Sequence, residues 1–97
     1  MLNIQTQSDK ALEWLQDRSG ICADTISGKD RGYSELMHLR HLHRVVLCEE
    51  FRKGHVARFL EIGGNSLNNS LKYHKKQLES KVYQIIYQQL KDYVYSN

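Results

Sequence analysis

With 97 residues, 40 % of them hydrophobic and 26 % charged, the chain has the composition of one globular domain rather than of a disordered tail, at a size where a helical core is feasible without staples. No apolar run approaches the roughly 20 residues that span a bilayer, and the N-terminus lacks the basic-then-apolar pattern of a secretion signal, so a cytoplasmic location without a membrane partner is expected. The formal net charge is +3 and unevenly placed: residues 29–76 carry ten Lys and Arg against five Asp and Glu, with all five histidines, between a net acidic 1–28 and a neutral 77–97. A basic centre between such flanks suits an anionic partner contacted by the middle of the chain.

There is no proline, and six glycines divide the sequence into short segments, which predicts a single all-α domain of five or six helices over residues 1–97, with its core between about 8 and 94. The first helix is predicted over residues 8–17, with Ser8 as N-cap, Asp9 in the first turn and Leu12 and Leu15 at helical spacing; Ser19-Gly20 ends it. A turn or two of helix follows around Ala23 to Ile26, then a turn-rich basic loop, Ser27-Gly28-Lys29-Asp30-Arg31-Gly32. The longest helix is predicted over residues 34–53, because Leu36, Leu39, Leu42, Val45, Val46 and Phe51 sustain an apolar face and Gly54 suits the position after its end. A short helix over residues 55–62 carries Val56, Phe59 and Leu60, and Gly63-Gly64 breaks it. Asn65 or Ser66 then caps a helix bearing Leu67, Leu71 and Leu78. The last helix begins near Ser80 and is predicted to bury Val82, Ile85, Ile86, Leu90, Tyr93 and Val94, with Tyr83 and Tyr87 at its flanks.

A two-turn helix, a glycine-containing break and a second helix with a polar start and a basic body is the helix-turn-helix layout. The first helix sets the angle of the second, whose N-terminal residues reach base edges in the major groove. Short amides and hydroxyls suit that position, since Asn reads adenine with two hydrogen bonds and Ser bonds either base or phosphate. Here that stretch reads Asn65-Ser66-Leu67-Asn68-Asn69-Ser70, and Lys72, His74, Lys75 and Lys76 beyond it are placed for phosphates, which position without specifying. The plainer reading of the same residues is a capped, solvated surface helix.

From about residue 8 to residue 94 the chain also resembles the C-terminal DNA-binding domain, domain IV, of the bacterial replication initiator DnaA. The resemblance rests on Ile21-Cys22-Ala23-Asp24-Thr25-Ile26, on the loop Ser27-Gly28-Lys29-Asp30-Arg31, and on a long helix with an internal arginine at Arg40 and apolar residues at Leu42, Val45 and Val46. It continues through Val56-Ala57-Arg58-Phe59-Leu60-Glu61-Ile62-Gly63-Gly64 and a closing amphipathic helix over residues 81–94. Where the family's recognition helix opens Arg-Asp-His-Thr-Thr-Val, this chain has Ser66-Leu67-Asn68-Asn69-Ser70-Leu71, and Asp30 interrupts the basic loop. The resemblance implies a helix-turn-helix bundle of the Trp-repressor-like kind that binds double-stranded DNA sequence-specifically, in replication initiation or its regulation. It implies that Lys29 and Arg31 enter the minor groove, and that Arg40, Ser66, Asn68, Asn69, Ser70, Lys72, Lys75 and Lys76 complete the DNA contacts.

The rival reading is a protein-interaction module that keeps the fold and has lost DNA binding. The tyrosine-rich last helix, with Tyr83, Tyr87, Tyr93 and Tyr95, would then serve a partner or self-association, although phenols at the rim of a core are the ordinary outcome. An enzyme is not expected. There is no GxxxxGK[ST] loop, His38 and His41 are i, i+3 rather than i, i+4, and no HExxH-type pattern occurs, so neither a metal nor another cofactor is expected. Cys22 and Cys48 lack metal spacing and read as two buried, reduced thiols.

Overall fold

The computed structural model describes residues 2–30 and 32–96 and is all-helical, with six helices: α1 (Ile4–Ser19), α2 (Ala23–Ile26), α3 (Ser34–Leu47), α4 (Lys53–Leu60), α5 (Gly64–Gln77) and α6 (Lys81–Tyr95). No strand occurs among the described residues, and no helix there is long and apolar enough to cross a membrane.

Helix α1 starts one turn earlier than the apolar pattern suggests. Asn3 supplies the cap, its side chain accepting from the Thr6 backbone N–H at 3.2 Å, and Gly20 closes the helix in the left-handed conformation at φ 78°. Ser8, expected as that cap, lies inside the helix and is buried, with Oγ 2.8 Å from Nε2 of His43. Helix α3 stops at Leu47 rather than near Lys53. The Cys48 and Glu49 N–H groups tighten onto the Val45 and Val46 carbonyls, and Phe51 returns to pack with Leu47, Val56 and Leu67. Gly54, expected just past that end, instead lies in the first turn of α4.

The bundle is built around α3, which packs against α1, α2, α5 and α6. One core joins Ala11 and Leu15, Ile26, Leu36, Leu39, Leu42, Val45 and Val46, and Tyr83, Tyr87, Leu90 and Val94; a smaller one joins Leu47, Val56 and Leu67. Helix α6 is rotated from its expected face. Leu90 and Val94 are buried as expected, but Tyr83 and Tyr87 go in with them, while Val82 and Ile85 are left 68 % and 59 % exposed. The tyrosines win because their rings are large apolar bodies and their hydroxyls find partners at the core edge. Tyr83 meets Nδ1 of His74 at 2.8 Å, Tyr87 donates to Glu49, and Tyr95 donates to the Val46 carbonyl at 2.7 Å. Tyr93, 40 % exposed, donates to Glu13 at the surface. Both cysteines are free, as expected, but Cys22 is exposed and only Cys48 is half-buried.

His43 is 2 % exposed, and burial, with the Arg44 charge adding to it, lowers its pKa to about 4. The unfolded chain binds that proton near the ordinary value of 6.5, so acid favours unfolding. The stabilisation is complete above about pH 6.5 and lost as the pH falls towards 4. Urea unfolding at stepped pH is expected to show a loss on the order of 3 kcal/mol across that window, with a shallower slope in His43→Gln.

Candidate nucleic-acid interface

Helices α4 and α5 are joined by Glu61, Ile62 and Gly63. The reversal is made at Glu61, which sits in the left-handed region at φ 55°, and not at Gly63, whose φ is −71°. The Glu61 N–H bonds the Arg58 carbonyl at 3.2 Å and the Ile62 N–H the Ala57 carbonyl at 3.0 Å, closing α4. Ile62 packs into the smaller core with Phe59 and Leu60, so the turn is held from inside.

Helix α5 has two faces of opposite character. Inward, Leu67 is 1 % and Ser70 0 % exposed. Ser70 Oγ lies 2.7 Å from Nδ1 of His41 and accepts from Arg44 at 3.4 Å. His41 stacks on Tyr73 with ring centroids 4.5 Å apart, and His38 Nδ1 meets the Tyr73 hydroxyl at 2.6 Å. His74 reaches the other way, to Tyr83 of α6. Burial lowers the pKa of His38, His41 and His74, which favours their neutral rings. These histidines therefore tie α5 to α3 and α6.

Outward, α5 exposes Asn65, Ser66, Asn68, Asn69, Lys72, Lys75 and Lys76. Asn65, Asn68, Asn69, Lys72 and Lys75 line an open cleft of about 580 Å³, with Lys53 from the start of α4 as its other wall. No acidic residue lines the cleft, and neither α4 nor α5 contains one. Asn65 and Ser66, expected as caps, do not cap: the N-cap position is Gly63 and carries no side-chain hydrogen bond.

Of the ten residues expected to touch DNA, the structure gathers Asn68, Asn69, Lys72 and Lys75 in this cleft and leaves Ser66 and Lys76 exposed on the same helix. Two are reassigned. Ser70 faces α3, and Arg40, 1 % exposed, is a core residue. Lys29 is exposed but borders a separate groove with Asp9, Asp24 and Glu61. Arg31 lies outside the described residues. Lys53 and Asn65 join the site unanticipated. Lys53 closes the helix predicted over 34–53, while Asn65, one turn before Asn69, opens the polar stretch of the second helix.

Arg40 organises the basic loop from beneath. Its guanidinium donates to the backbone carbonyls of Ile26 at 3.2 Å, Thr25 at 2.9 Å and Asp30, and to the Asp30 carboxylate at 2.8 Å. That pairing holds the Asp30 carboxyl below its usual pKa. The acid interrupting the loop is thus the counter-charge of a buried cation. A Cβ at Gly32 would stand 2.9 Å from Leu36 and 3.3 Å from the Arg40 guanidinium, so a side chain there would press on both.

No protein-family model matches the chain, and neither a curated protein nor a solved structure does. Among the described residues the fold and site define an all-α, six-helix bundle with an acid-free cleft of amides, lysines and Leu71 between α4 and α5.

Substitutions at two positions probe this construction. Glu61→Gly relieves the left-handed residue and is expected to stabilise the fold by about 1 kcal/mol, read as a higher denaturant midpoint at unchanged m-value, whereas Glu61→Val destabilises it. Arg40→Ala strands two α2 carbonyls and the Asp30 carbonyl and carboxylate, and is expected to cost at least about 2 kcal/mol, and Arg40→Lys does not restore it, because one ammonium cannot replace the planar fork; thermal unfolding of both variants checks this.

Proposed function

We propose that the chain binds double-stranded DNA through a helix-turn-helix, with α5 in the major groove and the N-terminal end of α4 against the backbone. The observation that carries this reading is the cleft of Lys53, Asn65, Asn68, Asn69, Lys72 and Lys75, which combines base-reading amides with phosphate-neutralising ammonium groups and holds no carboxylate to repel a polyanion. The outward face of α5 is unobstructed, while its inward face is held by hydrogen bonds to α3 and α6. The resemblance to DnaA domain IV points the same way and adds a role in replication initiation or its regulation, in the cytoplasm. In this reading Lys29 and Arg31 form a second contact, in the minor groove.

The alternative, an interaction module without DNA binding, draws on a different observation: Val82 and Ile85 stand exposed on α6. Its chemistry would be aliphatic, since Tyr83, Tyr87 and Tyr95 spend their hydroxyls within the fold.

Salt titration of duplex affinity separates the two readings. Bound DNA releases counterions in proportion to the phosphates neutralised, so Lys72→Ala and Lys75→Ala are each expected to weaken every duplex similarly and to lower the slope of log affinity against log salt by about one. Absence of any salt-dependent affinity at low ionic strength overturns the proposal in favour of the interaction module.

A further inference from the structure

We infer that the base-reading element of this chain is an amide triad, Asn65, Asn68 and Asn69, and that it selects a core of two or three consecutive A·T pairs with their adenines presented in the major groove; this rests on the DNA-binding reading above.

The three amides stand at i, i+3 and i+4 on α5, the spacing that places side chains on one helix face, and all three line the same cleft. Leu67 and Ser70, between and beyond them, point inward, which narrows the reading face to asparagines at the helix start. Their heads are uncommitted. All three are exposed, the helix is not capped by a side chain, and among the described residues no hydrogen bond engages an Asn65, Asn68 or Asn69 amide.

The chemistry of an asparagine head then chooses the base. A primary amide presents one acceptor and two donors on a planar group. Adenine offers the matching pair in the major groove, an N7 acceptor beside an N6 donor, whereas guanine offers two acceptors and is read by a two-donor group, most often arginine. Helix α5 has no arginine. Its lysines begin at Lys72, past the amides, and suit phosphates as point charges. From Asn65 to Asn69 the helix rises about 6 Å, or roughly two base-pair steps, so the triad covers adjacent pairs.

The test uses the full chain. Selection from a random duplex library is expected to return a core with adjacent A·T pairs. Within the selected site, replacing the core adenines by 7-deazaadenine removes the N7 acceptor while leaving pairing and the minor groove intact; wild-type affinity is expected to fall about 10-fold or more. Asn68→Ala and Asn69→Ala, which substitute a strong helix former at exposed positions, are expected to keep wild-type helical circular dichroism and the salt slope of binding while affinity for the selected site falls. They are also expected to lose most of the discrimination between adenine and its 7-deaza analogue. A selected core of G·C pairs, indifference of the wild type to 7-deazaadenine, or a uniform loss across sequences in the Asn variants overturns the triad while leaving salt-dependent DNA binding in place. No salt-dependent affinity for any duplex removes the DNA reading and the triad together.

Discussion

Helix α3 is covered by α1, α2, α5 and α6, yet it carries Arg40, His41, His43 and Arg44 in near succession. A polar group taken out of water without a partner is costly, and a buried charge far more so, so α1, α2, α5 and the basic loop supply partners to these groups. Ser8 of α1 meets His43, the α2 carbonyls and Asp30 meet Arg40, and Ser70 of α5 meets His41 and Arg44. Among the described residues no buried side-chain nitrogen or oxygen is left without a partner. This requirement draws Ser8 away from capping and Ser70 away from the surface.

The same requirement sorts the basic block. Several of its charges never reach an outside partner: Arg40 is neutralised by Asp30, and burial disfavours the charged forms of His38, His41, His43 and His74. The cations that remain exposed on α4 and α5 include Lys53, Lys72, Lys75 and Lys76. A modest net charge is thus concentrated where two acid-free helices meet, and a local field of one sign matters more to a polyanionic partner than the total.

The DNA-binding reading proposed above needs α5 to be held rigidly. Side chains that discriminate between bases act at hydrogen-bond distance, so the backbone beneath them must be held. Hydrogen bonds from Ser70, Tyr73 and His74 hold one side, and Leu67 packs with Leu47 and Val56 on the same side. The three-residue turn adds a strained closure at Glu61 and an apolar anchor at Ile62.

Helix number, the all-α class and the break between α4 and α5 were legible along the chain, because apolar spacing and glycine punctuation are local properties of the backbone. So were the polar start of α5 and its lysines, since side chains on an exposed helix face answer to solvent and little else. Which face of α6 turns inward was not legible. Val82 and Ile85 are as apolar as Leu90 and Val94, and the choice fell to Tyr83 and Tyr87, whose hydroxyls needed His74 and Glu49 from elsewhere in the fold. The fates of Arg40 and Ser70 were hidden for the same reason. A cation or a hydroxyl in sequence reads as surface, and only three-dimensional packing supplies the carbonyls, carboxylate and imidazole that make its burial affordable. By itself the sequence determined the helices and the composition of their exposed faces; tertiary structure decided which polar groups were used up inside, because a hydrogen bond between distant residues has no local signature.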